Sequence, residues 1–197
     1  MGGSNINTWS DLLTDANMVI SFPDLAATDI AGSFLCEYVE LHGQERAELY
    51  FRSLQTRIGA YSKTMAPVMH RVAGGEAQAG VVDAVTARQY RFDGAPVFVV
   101  YPQDGTAYWL IGAAATRWCS DEEETGKFID WLLSLEAADV LRKNRMQFNF
   151  ANSAIAVQAD SKQQGPVFFK TVKHYNDKDR RAMQDWWIRT IRFGRDG

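Results

Sequence analysis

Short apolar runs alternate with amphipathic segments along most of this 197-residue chain. That alternation restricts it to a layered α/β architecture, with strands in the middle and helices packed against them. Residues 18–22 form an apolar run closed by Pro23, the pattern of a buried strand. Thr28 stands where a helix cap belongs, ahead of an apolar face made by Ile30, Phe34, Tyr38 and Leu41 and ended by Gly43. Ala47, Tyr50, Phe51, Leu54 and Ile58 keep the same 3.6-residue period in a second helix, with Gly59 as its stop. A polar turn, Tyr61-Ser62-Lys63-Thr64, then leads into a short helix over 67–75. A strand over 77–82 ends in Asp83, and a helix covers 84–90. Residues 96–101, rich in Val and aromatic side chains, read as a buried strand, followed by a turn at 102–106 and an apolar segment at 108–115.

The clearest helix start lies further on. Ser120 with Glu123 has capping-box spacing, and Asp121, Glu122, Glu123 and Glu124 suit the positive end of a helix dipole. Phe128, Ile129 and Leu132 give that helix its apolar face, and a second helical piece covers 135–142. Residues 146–171 carry weak signals, and a last helix over 176–192 is expected to bury Met183, Trp187 and Ile191. A short turn of helix at 9–13 opens the series.

Composition narrows the function classes. Hydrophobic residues make up 46% and charged ones 23%, enough apolar surface for a packed core. A net charge of −3 offers no clustered cation for a phosphate backbone, so nucleic acid is not expected as a partner. Nor does any run approach the ~20 apolar residues of a membrane span. Residues 1–5 have neither the basic nor the apolar region of a signal peptide, and residues 1–7 read as a leader or linker. Cys36 and Cys119 lie in different blocks and lack metal-site spacing, while His42, His70 and His174 stand far apart. With no nucleophile elbow and no phosphate loop, no enzyme and no cofactor or metal is expected; a small hydrolase is the least favoured alternative.

Five segments carry a family likeness in one order. They are Thr8-Trp9-Ser10-Asp11-Leu12-Leu13; the strand and turn from Ile20 through Pro23-Asp24 to Thr28; Val72-Ala73-Gly74-Gly75-Glu76-Ala77; the run from Val97 to Thr106; and Phe128-Ile129-Asp130-Trp131-Leu132-Leu133-Ser134-Leu135-Glu136-Ala137. Together they resemble the second half of the type II periplasmic solute-binding proteins of ABC importers, the group that includes ferric-iron, phosphonate and phosphoglycerate binders. The resemblance implies a periplasmic-binding-protein-like α/β lobe, three-layered (αβα) around a mixed sheet, as a fragment of a bilobal fold whose first lobe is mostly missing. It implies a second-lobe core over 8–101, a segment over 102–145 that returns to lobe one, and a C-terminal segment over 146–197 that packs back on lobe two. The partners implied are a small anionic or metal-chelated solute and an ABC permease, with a membrane sensor kinase as the alternative, in the periplasm and outside the bilayer.

Solutes of that fold sit between lobes, held partly by free N–H groups at helix starts. The ligand-binding candidates are therefore Thr28, Asp29, Ser62, Thr64, Asp83 and Tyr101. Thr28 serves either as a cap or as a ligand hydroxyl, and Asp83 either holds a ligand amine or caps its helix. Two departures stand out. Asp29 occupies a position where the family carries Gly, and its charge opposes an anion; the paired tyrosines that ligate iron in some members have no counterpart.

Overall fold

The computed structural model describes residues 6–144, 146, 166–171, 173 and 175–194. They fall into two compact units. One joins the chain up to Trp109 with the residues from Pro166 onward; the other begins at Leu110 and takes in the stretch between.

The first unit opens with a 3₁₀ turn, Ser10–Leu13, and then runs through β1 (Ile20–Pro23), α1 (Asp29–His42), α2 (Gln44–Gln55), β2 (Ile58–Ser62), α3 (Met65–Ala73), β3 (Ala79–Gly80) and α4 (Ala84–Phe92). It is completed by α7 (Asp177–Trp186), which continues as a π-helical turn over Trp187–Arg192. The strands lie in the order β2-β1-β3, and both pairings are parallel. The mixed sheet that was expected is thus parallel throughout its described strands. Parallel neighbours need crossovers, and right-handed ones running in opposite directions, from β1 out to β2 and from β2 back past β1 to β3, place helices on both faces. Ile20 and Phe22 face the main core, shared with α1, α2 and Trp187. On the other face α3 lies against exposed Gly80, where a Cβ would lie 2.7 Å from Val72 Cγ2 and 2.9 Å from Val68 Cγ1. Three layers result.

The core is largely aromatic. Trp187, Phe22, Phe51, Ile20, Leu25, Leu35 and Leu54 are fully buried. Phe51 meets Trp187 edge-on, with ring centroids 5.2 Å apart at 89°, and Tyr38 packs on Phe51 at 5.0 Å. Each such side chain contributes about 1.5–3 kcal/mol by burial. Trp9 joins through its indole N–H, which donates to the Gly105 carbonyl at 2.7 Å, and its own carbonyl accepts from the Tyr50 hydroxyl at 2.8 Å.

Several expectations are corrected. Ile58 and Gly59 do not end α2; they open β2, because Thr56 and Arg57 already turn the chain. Gly59 is the residue skipped where the register jumps from Ile20↔Ile58 to Ser21↔Ala60, and a Cβ there would lie 2.7 Å from Val19 Cγ1. On α1 the buried arc is Ala31, Leu35, Cys36, Tyr38 and Val39, while Ile30 and Leu41 are exposed. The helix is wedged between the core and α7, whose Gln184 side chain lies against Gly32, so its buried face is wider and rotated. The run over 96–101 is not a buried strand: it joins no ladder among the described residues, and Phe98 is 93% exposed. Alternating apolar side chains favour a strand, but a strand needs a neighbouring edge, and none is paired to this one.

In the second unit are α5 (Glu122–Leu132) and α6 (Leu135–Lys143). The cap of α5 is Asp121, not Ser120: its Oδ1 accepts from the Glu124 N–H at 2.9 Å. The expected buried face of α5 is not buried. Phe128 is exposed, while Ile129 and Leu132 are half-covered, because only Ala137 and Ala138 of α6 are sealed in this small helical pair. Of the weakly patterned 146–171 stretch, residues 147–165 lie outside the described residues.

Candidate functional site

Because the three strands run parallel, their carboxyl ends share one edge of the sheet, and each leads into a helix start. β1 leads through the Asp24 turn to Thr28 and α1, β2 through Lys63 and Thr64 to α3, and β3 through Val81 and Val82 to Asp83 and α4. The positive ends of three helix dipoles therefore gather at the crevice where α/β sheets bind ligands. The junctions are stitched together: the Asp24 N–H donates to the Ser62 carbonyl at 2.9 Å, and the Val81 N–H to the Ser21 carbonyl at 3.1 Å.

At the first junction, Thr28 Oγ1 accepts from the Ala31 N–H at 3.2 Å, so the hydroxyl caps α1. The Gln184 side-chain amide of α7 donates to the carbonyls of both Leu25 and Thr28 at 3.3 Å and fixes the turn between them. Asp29 is exposed, with the Arg180 guanidinium 3.9 Å away. Arg180 itself is mostly covered; it donates to the Tyr175 carbonyl, pairs with Asp177 and lies over the Trp109 ring at 5.9 Å. Asp29 thus has a cation at the outer limit of ion pairing, and it shares that cation with Asp177.

Ser62, at the second junction, is buried, and its Oγ accepts from Arg71 Nη1 at 2.8 Å. Thr64 occupies the cap position of α3, yet its side chain makes no capping bond and is exposed beside Lys63. Among the described residues the N–H groups of Met65 and Ala66 have no acceptor, and Pro67 has none to satisfy. At the third junction Asp83 caps its helix: Oδ1 accepts from the Thr86 N–H at 2.8 Å and Oδ2 from the Thr86 hydroxyl at 2.7 Å.

The topology brings Thr28, Asp29, Ser62, Thr64 and Asp83 to one edge. Tyr101 is half-buried in the run after α4 and shares no hydrogen bond or ring contact with them among the described residues. Sequence reasoning missed Arg71 and Arg180. Arg71 gave no sign, since a cation in the last turn of a helix is ordinary. Arg180 did, because a cation in the first turn of α7 sits against the dipole unless another group holds it.

Among the described residues no group of three or more His, Cys, Asp and Glu side chains could hold a metal ion. His42 packs on Tyr38 and His70 on Tyr90, and burial holds His42 below its usual titration range. His174 lies outside the described residues. Cys36 and Cys119 are both free thiols. No described helix is long and apolar enough to cross a membrane.

Residues 2–147 match the family model described as bacterial extracellular solute-binding protein. An uncharacterized protein of Haemophilus influenzae is 23% identical over 193 residues, covering 95% of this chain and 56% of that protein. The periplasmic binding protein AfuA from Actinobacillus pleuropneumoniae, solved with exogenous fructose-6-phosphate bound, aligns at a TM-score of 0.67 and 21% identity, over 95% of this chain and 60% of its own. The periplasmic binding protein P5PA aligns at 0.68 and 22%, over 94% and 60%. A Bordetella ferric binding protein aligns at 0.59 and 14%, over 95% and 62%. The fold is that of the periplasmic binding proteins, and the chain spans about 60% of the length of these structures.

Proposed function

Since the chain belongs to the family of bacterial extracellular solute-binding proteins, we propose that it supplies one lobe of a bilobal receptor serving an ABC permease in the periplasm. The solute is small and either anionic or carried as an anionic metal chelate, and it is taken at the carboxyl edge of the sheet. The residues assigned to it are Thr28, Asp29, Ser62, Thr64 and Asp83, with Tyr101 in the hinge segment. In this reading residues 8–101 are the core of the lobe, 102–145 return to its partner lobe and 146–197 pack back; the grouping of residues from Pro166 onward with those before Trp109 supports the last assignment. Closure of two lobes about the segment near 97–101 would shut the solute away from water.

One observation carries the anionic reading: the uncapped start of α3. Two open N–H groups and the Thr64 hydroxyl stand at the positive end of a helix, with exposed Lys63 next in the chain, which suits phosphate or carboxylate oxygens. The solute bound to AfuA, a sugar phosphate, is of that class. A metal would arrive with its own anionic ligands, since no cluster of three His, Cys, Asp or Glu donors lies among the described residues.

The test is thermal unfolding with millimolar fructose-6-phosphate, inorganic phosphate or plain fructose. Ligand that binds only the folded chain raises the melting temperature. Phosphate-bearing compounds should stabilise the chain, fructose should not, and Thr64→Val with Lys63→Ala should remove the effect. An equal shift with fructose, or a phosphate shift that survives both substitutions, overturns the assignment.

A further inference from the structure

Glu37 and Glu40 lie one turn apart on α1, on the side met by the chain returning toward α7. Both oxygens of Glu40 are engaged there: Oε1 accepts from the Lys173 N–H at 3.1 Å and Oε2 from the Tyr175 hydroxyl at 3.0 Å. Glu37 is hydrogen-bonded by the Thr171 side chain, but its Oε2 is buried without a partner. A carboxylate with two donors is stable as an anion; a second one beside it, half-buried and with one oxygen left without a partner, is opposed by burial and by like charge. Burial first, and then Glu40, push Glu37 up to about 7, against the pull of Thr171. The described groups around it do not reverse this. The Lys173 ammonium lies over the Tyr175 ring at 4.8 Å. Asp179 and Arg180 of α7 act in opposite senses on neighbouring Cys36, whose thiol burial raises to about 11.

We propose that Glu37 and Glu40 form a proton-gated latch, in which a protonated Glu37 lets Thr171, Lys173 and Tyr175 dock on α1 and an ionised Glu37 repels Glu40 and loosens them. The proton passes to solvent, and no other reactant is needed. The sign follows from linkage. Glu37 titrates higher in the folded chain than its ordinary 4.5, so the folded state holds the extra proton and its advantage is lost as pH rises from about 4.5 to about 7. The latch would give the lobe a response to external acidity that is independent of its solute.

Two measurements on the whole chain decide the matter. Carbon-13 NMR titration of the side-chain carboxyls should place the Glu37 midpoint near 7. Hydrogen-exchange protection of the Lys173 amide, corrected for the intrinsic pH effect, should fall about tenfold or more between pH 5.5 and 8, the span over which one proton equivalent is released. Glu37→Gln should hold that protection at its acid value throughout, whereas His174→Gln should leave the wild-type profile in place. A Glu37 midpoint below about 5 overturns the proposal, as does a protection profile that Glu37→Gln leaves unchanged or that His174→Gln flattens. Should Glu37→Gln fail to fold, the carboxyl titration of the wild-type chain decides alone.

Discussion

Asp121 caps α5 although Ser120 has equally good spacing to an acid three residues on, and the reason is local. Ser120 with Glu123 and Asp121 with Glu124 are two registers of one motif, and propensity does not choose between them. The register adopted sets Glu122, Glu123 and Glu124 in the first turn, all against the positive dipole end. Asp121→Ala should therefore destabilise the α5–α6 pair by about 1 kcal/mol and Ser120→Ala by close to nothing. Hydrogen exchange of the α5 amides measures both, and equal effects would refute the assignment. Thr28 and Asp83 were legible as residues that either cap a helix or meet a ligand, and each bonds its own helix. Arg180 beside Asp29 was not, since the two are far apart in sequence and no periodicity joins them.

Whole elements were legible where their period was unambiguous. Met183, Trp187 and Ile191 recur every four residues, slightly longer than an α-helical turn; Trp187 and Ile191 are buried in the wider π turn, while Met183 in α7 is half-buried against the same core. β2 was hidden because Ile58 fits the helical stripe of α2 as well as it fits a strand, and only the tertiary partner β1 resolves it. The opposite error befell 96–101, where the side chains suit a ladder that no described strand completes. The β3–α3 contact yields a prediction at this scale. Val68 and Val72 have stiff side chains that cannot swing away from a new methyl at Gly80. Gly80→Ala should cost about 1–3 kcal/mol in urea unfolding, and an unchanged midpoint would mean that α3 does not press on the sheet as described.

At the scale of the molecule, the layered class and the family were readable because five short segments keep their order, each tied to a turn or an apolar face. The individual contacts of the last helix were not, for they join residues most of the chain apart. If this chain holds one jaw of its receptor, much of the contact to a solute is absent, and calorimetry should find a dissociation constant no tighter than about 1 mM, near −4 kcal/mol. Micromolar affinity in this chain alone would contradict the two-jawed reading. Trp187 carries a different implication. The pocket bounded by Phe51 and Tyr61 stays open until residue 187 has left the ribosome, so the nascent polypeptide cannot seal its own interior early. Such late closure leaves the polypeptide pliable while most of it is being synthesised.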